Sequence, residues 1–534
     1  AKKEGITPQD VVDKYHEIIK KSFADLGISF DEYSRTTSKK HYEVSQEFFL
    51  NLYNKGKFEE EISEQFFDEQ AGEFLADRYI VGTCPKCSNE NAYGDQCEKC
   101  GSTLSPTELI NPKSMLSGNT PILKETKNWY LPLNEYENFL NEWIIKGHQD
   151  DWKPNVYGQV KSWLNDGLKP RAMTRDLNWG VPVPLPNAEG KVLYVWFDAP
   201  IGYISFTQEW AEKNGKNWKD FWQNEETDLI HFIGKDNIVF HSVIWPGILL
   251  GANGQGAVGG EIKPALGELQ LPTEVVSSEF MTMRGSKVSS SRGASIFVGD
   301  FLEEFGPDAL RYFIAVAGPE NQDTDFTWEE FVRRVNFELA NEWGNLVNRS
   351  ISMAHKNNGA IPRAGELTQA DRELLDASAA AFATVGEHIA ARRFKAGITE
   401  AMRIVSLANK YLSDQEPWKL KDDPARRDTV LHVALQVVSD CNTLLTPYLP
   451  HSAQAVFEAL GNEGVWAAQP ELREVTDGDV TYPILTGDYA AQQAVWKRRP
   501  VVAGTPLAKP SPLFRKLDEK LATEGPSWAP IRKE

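Results

Sequence analysis

The chain has 534 residues, 41% of them hydrophobic, enough for two to four domains with real cores. Its formal net charge of −19 excludes a protein that coats duplex DNA nonspecifically, so any nucleic-acid partner must be met by local basic patches. No apolar run reaches 18 residues, since Val243 to Ala252 is broken by Pro246 and Gly247, and four of the five cysteines form one cluster, which suits a reducing cytoplasm.

In chain order, residues 1 to about 50 read as mixed helix, with Val11, Val12, Tyr15, Ile18 and Ile19 at helical spacing. The chain starts at Ala1 inside a polar helical pattern, which leads us to expect a preceding segment. Residues 54 to 168 carry the cysteines and short polar turns, as an insertion with its own small core would. Cys84-Pro-Lys-Cys87 and Cys97-Glu-Lys-Cys100 form two paired knuckles, and four thiolates at this spacing close a tetrahedral, structural Zn²⁺ site. A redox dithiol and an iron centre are the alternatives.

From about 169 the pattern becomes α/β. Val192 to Phe197 reads as a buried strand, followed by Asp198-Ala199-Pro200-Ile201-Gly202-Tyr203. A second strand, Leu229 to Ile233, ends at Gly234-Lys235-Asp236, and a helical stretch with Phe240, Val243, Ile244 and Ile248 on one side follows. Ligands bind at the carboxyl ends of strands in open sheets, so Trp196, Tyr203, His241 and Trp245 are candidates for one aromatic pocket suited to a flexible thioether. Each of these also suits an ordinary core, and a lone His241 is more often a satisfied core histidine. Gly234 would let backbone approach a nucleotide, and Asp236 would accept from a ribose hydroxyl.

Thr273 to Ser278 reads as a third strand leading into Lys287-Val288-Ser289-Ser290-Ser291, framed by Arg284-Gly285 and Arg292-Gly293. Cations, hydroxyls and glycines packed so closely fit a loop that surrounds a polyphosphate, and a solvated Ser-rich linker is the plain alternative. Pro307 is placed for the first turn of another helix. From Thr327 the chain reads as a helix bundle: Thr327 with Glu330 and Thr368 with Asp371 resemble capping boxes, and amphipathic segments run over 328–356, 369–391, 394–413 and 426–449. Cys441 reads as a core thiol, and Leu513 to Leu521 as a basic-acidic helix in a Pro-rich tail.

Taken in order, Val195-Trp196-Phe197-Asp198-Ala199-Pro200-Ile201-Gly202-Tyr203, Phe232-Ile233-Gly234-Lys235-Asp236-Asn237-Ile238-Val239-Phe240-His241-Ser242 and Lys287-Val288-Ser289-Ser290-Ser291 resemble methionyl-tRNA synthetase, a class I aminoacyl-tRNA synthetase. Tyr93-Gly94-Asp95-Gln96-Cys97, Ser105-Pro106-Thr107-Glu108-Leu109 and Gly306-Pro307-Asp308-Ala309-Leu310-Arg311-Tyr312 resemble the same family. The resemblance implies a Rossmann-like catalytic domain with an inserted zinc-knuckle connective domain, then an α-helical anticodon-binding bundle. It divides the chain into 1–53 and 169–272 as the two catalytic halves, 54–168 as the insertion with its knuckle at 84–100, 273–326 as the phosphate-loop region, 327–489 as the bundle and 490–534 as a linker and helix.

The implied reaction is attack of methionine carboxylate on the α-phosphate of ATP, loss of pyrophosphate, and transfer of the methionyl group to tRNA(Met). Methionine is then expected at Trp196, Ala199, Pro200, Tyr203, His241, Trp245 and Arg175, and ATP with Mg²⁺ at Gly234, Asp236, Lys287, Ser289, Ser290 and Ser291. The catalytic residues implied are Lys287, Arg292 and Asp236, and the anticodon readers Asn345, Arg349, Pro417 and Trp418. Splayed bases stack on aromatics and pair with Asn and Arg edges, so the chemistry agrees; a solvated helix face and a packed helix end are the plain readings of these positions. Three departures stand out: Ser290 occupies the usual place of the loop's second lysine, Asn237 replaces an apolar residue, and no His-Ile-Gly-His-like motif occurs. We therefore expect a missing N-terminal segment and weak methionine activation by these residues alone. The readings carried forward are a cytoplasmic, monomeric ligase, a noncatalytic tRNA-binding relative, and a ligase for another amino acid; no large editing insertion is present.

Overall fold

The computed structural model describes residues 5–95, 97, 99–100, 102, 104–254, 268–283, 286–287, 296–477 and 480–529. The chain divides into two compact units, one of Ala1–Pro8 with Glu32–Ser277 and the other of Gln9–Asp31 with Ser278–Glu534. Among the described residues no helix is long and apolar enough to cross a membrane.

In the first unit, Glu59–Asp68 and Ile122–Leu131 pair antiparallel from Glu59↔Tyr130 to Phe67↔Ile122, with Glu73–Phe74 and Arg171–Ala172 as short edges. The insertion expected to be turn-rich is thus built on two long strands. A three-stranded sheet of Ala92–Tyr93, Ile80–Thr83 and Ile110–Ser114 carries the cysteines. Gly94 is required there, because a Cβ would lie 2.5 Å from the Asp77 carbonyl oxygen. The knuckle has its own core of Phe66, Leu75, Ile80, Ala92, Leu104 and Leu109 around Cys84 and Cys97.

Strands form where expected, at Ile230–Gly234 and Glu274–Ser278, and the two pair with each other. The first strand was expected too long. Only Lys191–Leu193 is strand, paired with Thr174–Asp176, and Val195–Asn214 is helix. Its branched and aromatic start imitates a strand, but Phe197, Ile201 and Ile204 recur at helical spacing and are all fully buried. Gly215, at φ 61°, ends the helix in the left-handed conformation.

In the second unit, Met281–Met283 pairs antiparallel with Ser286–Lys287 and parallel with Thr324–Phe326. The helices Gln369–Ala390, Phe394–Gln415 and Pro424–Leu445 match the expected bundle, and Pro307–Ala317 starts at its proline. The expected 328–356 segment is Trp328–Arg334, a wide π turn over Val335–Gly344, and Asn345–Asn358. Thr368 and Asp371 form the reciprocal box. At Thr327 only half of it forms, because the Glu330 carboxylate turns to Arg333 and Arg334.

Three further expectations fail. Pro424–Leu445 is not amphipathic, since every residue from Val433 to Leu445 is buried; it is the central helix of the bundle. The helix expected near the N-terminus does form, as Pro8–Asp25, with Lys20 and Ala24 buried and Tyr15, Ile18 and Ile19 exposed. Leu513 to Leu521 is not a helix, which forms only at Lys520–Glu524. The Asn336 side chain bonds both the N–H and the carbonyl of Leu517, at 2.7 and 2.9 Å, and so takes the backbone groups a helix would use there. A hairpin of Glu471–Asp477 and Val480–Thr486 lies within the range read as all helix.

Candidate active site, metal centre and nucleic-acid platform

The Tyr203 hydroxyl and His241 Nε2 are 2.8 Å apart, and His241 Nδ1 is 3.0 Å from the Asn237 carbonyl oxygen. A carbonyl only accepts, so Nδ1 carries the proton, and Nε2 accepts from the Tyr203 hydroxyl. The helix Val195–Asn214 supplies Tyr203, and a wide turn over Phe240–Ile244 supplies His241, where the Trp245 N–H reaches back to the Phe240 carbonyl. Such turns recur at functional sites.

A residue that sequence reading missed joins this pair. His231, on the strand Ile230–Gly234, has its ring centroid 4.7 Å from Tyr203 and 5.2 Å from His241. Burial pushes His231 down to about 3, the neighbouring His241 adding to the effect. Burial also lowers His241, opposed by its bond to Asn237, and raises the Tyr203 phenol. The cluster is therefore uncharged at neutral pH. His231 Nε2, Ser242 Oγ and Trp245 Nε1 are buried and have no hydrogen-bond partner among the described residues. Unpaired buried polar atoms are rare enough to mark a site. The only sequence signal for His231 was its position three residues before Gly234 on a strand.

The other expected pocket residues are placed nearby in sequence but with different neighbours. Trp196 stacks on Phe240 at 3.8 Å between centroids, and Trp245 is fully buried, edge-on to Trp222 at 6.1 Å. Pro200 is buried and Ala199 half-buried. The Arg175 guanidinium lies 4.1 Å over the Tyr194 ring and donates to the Ala172 and Thr174 carbonyls. Asp198, quoted within a sequence motif but given no role of its own, is 8% exposed in the first turn of its helix, and burial raises its carboxyl to about 7 against two backbone N–H bonds.

Gly234 precedes a 3₁₀ turn over Lys235–Asn237, and Asp236 is exposed. A Cβ on Gly234 would lie 2.9 Å from Asp236 Oδ1, so glycine keeps this strand end open. Lys287 stands at the end of its short strand in the second unit. Its side chain and the residues Ser289, Ser290, Ser291 and Arg292 lie outside the described residues.

The four knuckle sulfurs lie within 4.8 Å of one another, with Cys84–Cys100 at 3.9 Å and Cys87–Cys97 at 3.6 Å. A tetrahedral ion with Zn–S bonds of about 2.3 Å needs sulfurs about 3.8 Å apart, so the set fits a metal such as zinc.

In the bundle, Asn345 and Arg349 begin the helix Asn345–Asn358, with Asn345 exposed. The Arg349 guanidinium lies 5.3 Å over the Trp418 ring, and Trp418 is 43% exposed on a 3₁₀ turn whose first residue, Pro417, is buried. An outward indole backed by a guanidinium is a stacking surface for a base.

Known proteins bear on these sites. Residues 1–351 match the family described as tRNA synthetases class I (M), and residues 361–481 match the anticodon binding domain of methionyl tRNA ligase. The chain is 60% identical to the methionine–tRNA ligase of Cutibacterium acnes, over 99% of this chain and 88% of that protein. It is 56% identical to that of Saccharopolyspora erythraea, over 100% of this chain and 91% of that one. A Mycobacterium tuberculosis methionyl-tRNA synthetase solved in complex with methionyl-adenylate is 25% identical in structural superposition, at a TM-score of 0.72, over 96% of this chain and 88% of that one. With both family regions in order and such identity across nearly its whole length, the chain belongs to the methionyl-tRNA synthetases of class I.

Proposed function

We propose that the chain is a methionine–tRNA ligase that activates methionine with ATP and transfers it to tRNA(Met). What carries this reading is the 60% identity to a methionine–tRNA ligase over 99% of the chain, which favours it over a noncatalytic relative. The neutral Tyr203–His241–Asn237 chain supports the choice of substrate. An uncharged, aromatic wall in which Tyr203 and His241 are already bonded to each other accepts a thioether and disfavours a charged side chain. Trp196, Ala199, Pro200, Trp245 and Arg175 complete the methionine site in this reading.

Gly234 and Asp236 hold the nucleoside, with Asp236 accepting from a ribose hydroxyl. Lys287 and Arg292, with Ser289, Ser290 and Ser291, neutralise charge on the departing pyrophosphate, and Mg²⁺ accompanies the triphosphate. Asn345, Arg349, Pro417 and Trp418 read the anticodon loop. Cys84, Cys87, Cys97 and Cys100 hold Zn²⁺, which supplies a structural staple for a knuckle whose core is too small to stand alone. The protein works in the cytoplasm as a monomer.

Equilibrium dialysis with labelled methionine, competed by unlabelled leucine and isoleucine, tests the substrate. Selective retention of methionine is expected, and equal competition by leucine would overturn the reading. Lys287→Ala should slow adenylate formation in a pyrophosphate-exchange assay with methionine affinity unchanged; an unaltered exchange rate removes that role.

A further inference from the structure

Glu416 is one of few non-glycine residues with positive φ, at φ 44° and ψ 53°. An L-residue avoids this region because its Cβ crowds the following carbonyl, and a residue before proline is pushed towards extended backbone as well. Glu416 breaks both preferences, and it does so two residues before Trp418. Non-glycine residues held in this way cluster where the geometry is used.

The local bonding shows what the conformation achieves. Glu416 ends the helix Phe394–Gln415, its N–H bonded to the Leu412 carbonyl at 3.0 Å. Its own carbonyl then accepts from the Lys419 N–H at 2.8 Å, closing the 3₁₀ turn Pro417–Lys419. Its carboxylate meets Lys419 Nζ at 2.7 Å, so residues 416 and 419 are joined twice, on either side of the indole. Pro417 is buried and Leu420 packs on the bundle core, while Trp418 between them stands out with Arg349 over one face of its ring. Trp418 is not itself part of that core. Its direction is thus set by the backbone reversal rather than by its own burial.

We propose that Glu416 is a positioning residue for RNA recognition, its left-handed backbone aiming the Trp418 indole at an unstacked base. This rests on the reading of Trp418 as an anticodon contact. It also explains why an extended Pro-Trp segment would not serve: without the reversal, the chain leaving the helix would have no turn from which the Trp418 indole projects beside Arg349.

The test measures the affinity of the full chain for methionine-accepting tRNA by filter binding, with thermal melting followed alongside. The variants are Glu416→Gly, Glu416→Ala, Glu416→Val and Trp418→Ala. Glycine adopts the left-handed region freely, alanine less so, and a β-branched residue least. Affinity should therefore fall in the order Gly, Ala, Val, with Glu416→Gly within about threefold of the parent and Glu416→Val weaker by about tenfold, the loss of one base stack. A role for the carboxylate alone would make all three equal, and that result overturns the proposal. So does parental affinity in Glu416→Val. If Trp418→Ala itself binds as the parent does, the anticodon assignment fails first, and the proposal falls with it. Should Glu416→Val melt early, the Gly-to-Ala comparison still decides.

Discussion

Asp198→Asn offers a sharp quantitative test of the buried carboxyl at the start of the helix that carries Tyr203. The Asp198 carboxyl is 8% exposed, and burial raises it to about 7 from an ordinary 3.8. Tyr42, on the helix Lys39–Asn54, is raised first by burial and then by the Asp198 charge. The folded pKa lies above the unfolded one, so between the two values the native state binds more protons. Its contribution to stability is full below 3.8 and is lost as pH rises through about 7. Asparagine keeps the shape and cannot titrate. Whatever its amide costs in packing is a constant offset, and His41 and His231 titrate identically in both proteins. Only the pH dependence of the difference reports Asp198. At about 1.4 kcal/mol per pH unit, the variant should gain about 2–3 kcal/mol relative to the parent between pH 5 and pH 8. Urea unfolding at both pH values, followed by tryptophan fluorescence, gives the two differences. Parallel stability curves would mean that the carboxylate is solvated or paired, and would refute the desolvation argument.

Three other outcomes are expected. Tyr203→Phe strips the donor from His241 Nε2 in a buried setting, which costs about 1–3 kcal/mol, so calorimetry should show methionine affinity reduced roughly fivefold or more with tRNA affinity unchanged. Cys97→Ser removes one of the four clustered thiols, and elemental analysis should find the single zinc lost; full zinc occupancy in this variant would exclude the four-thiolate assignment. Arg426→Leu leaves Asp371 fully buried without the guanidinium that bonds it at 2.6 and 2.7 Å, and should destabilise the bundle by about 3–5 kcal/mol; an unchanged melt would count against that pair as a lock.

The sequence was most legible where a pattern maps onto one structural cause. Paired knuckles need only thiol spacing, and the four sulfurs do converge. Pro307, Thr368 and the helices Gln369–Ala390 and Phe394–Gln415 follow from caps and a 3.6-residue period. It was least legible where tertiary contacts decide. Val192 to Phe197 has strand composition, yet the burial of Phe197, Ile201 and Ile204 draws the chain into a helix from Val195. Leu513 to Leu521 has helical spacing, yet Asn336 takes the backbone bonds a helix would need at Leu517. His231 lacked any motif of its own, and only the three-dimensional neighbourhood of Tyr203 and His241 singles it out.

Periodicity also hides a feature that the aromatic site and the Asn345–Trp418 platform share. His241 lies in a wide turn, and Asn345 directly follows another, its N–H reaching back to the Ala340 carbonyl as the Trp245 N–H reaches Phe240. An extra residue in one turn rotates everything after it by about 100° relative to a regular helix. A pattern read at 3.6 residues per turn carries no record of that rotation. In the bundle it coincides with the point where Leu346, Val347, Ile351 and Ala354 face the core and Asn345 faces outward. Wide turns are intrinsically unfavourable, and these survive on tertiary burial: Leu339 and Trp343 in one, Val243 and Ile244 in the other, are 0–1% exposed. The irregularity and the packing that stabilises it thus belong to the same few residues. That is why the helices could be drawn from sequence with near-correct ends, while the faces they present to a substrate could not.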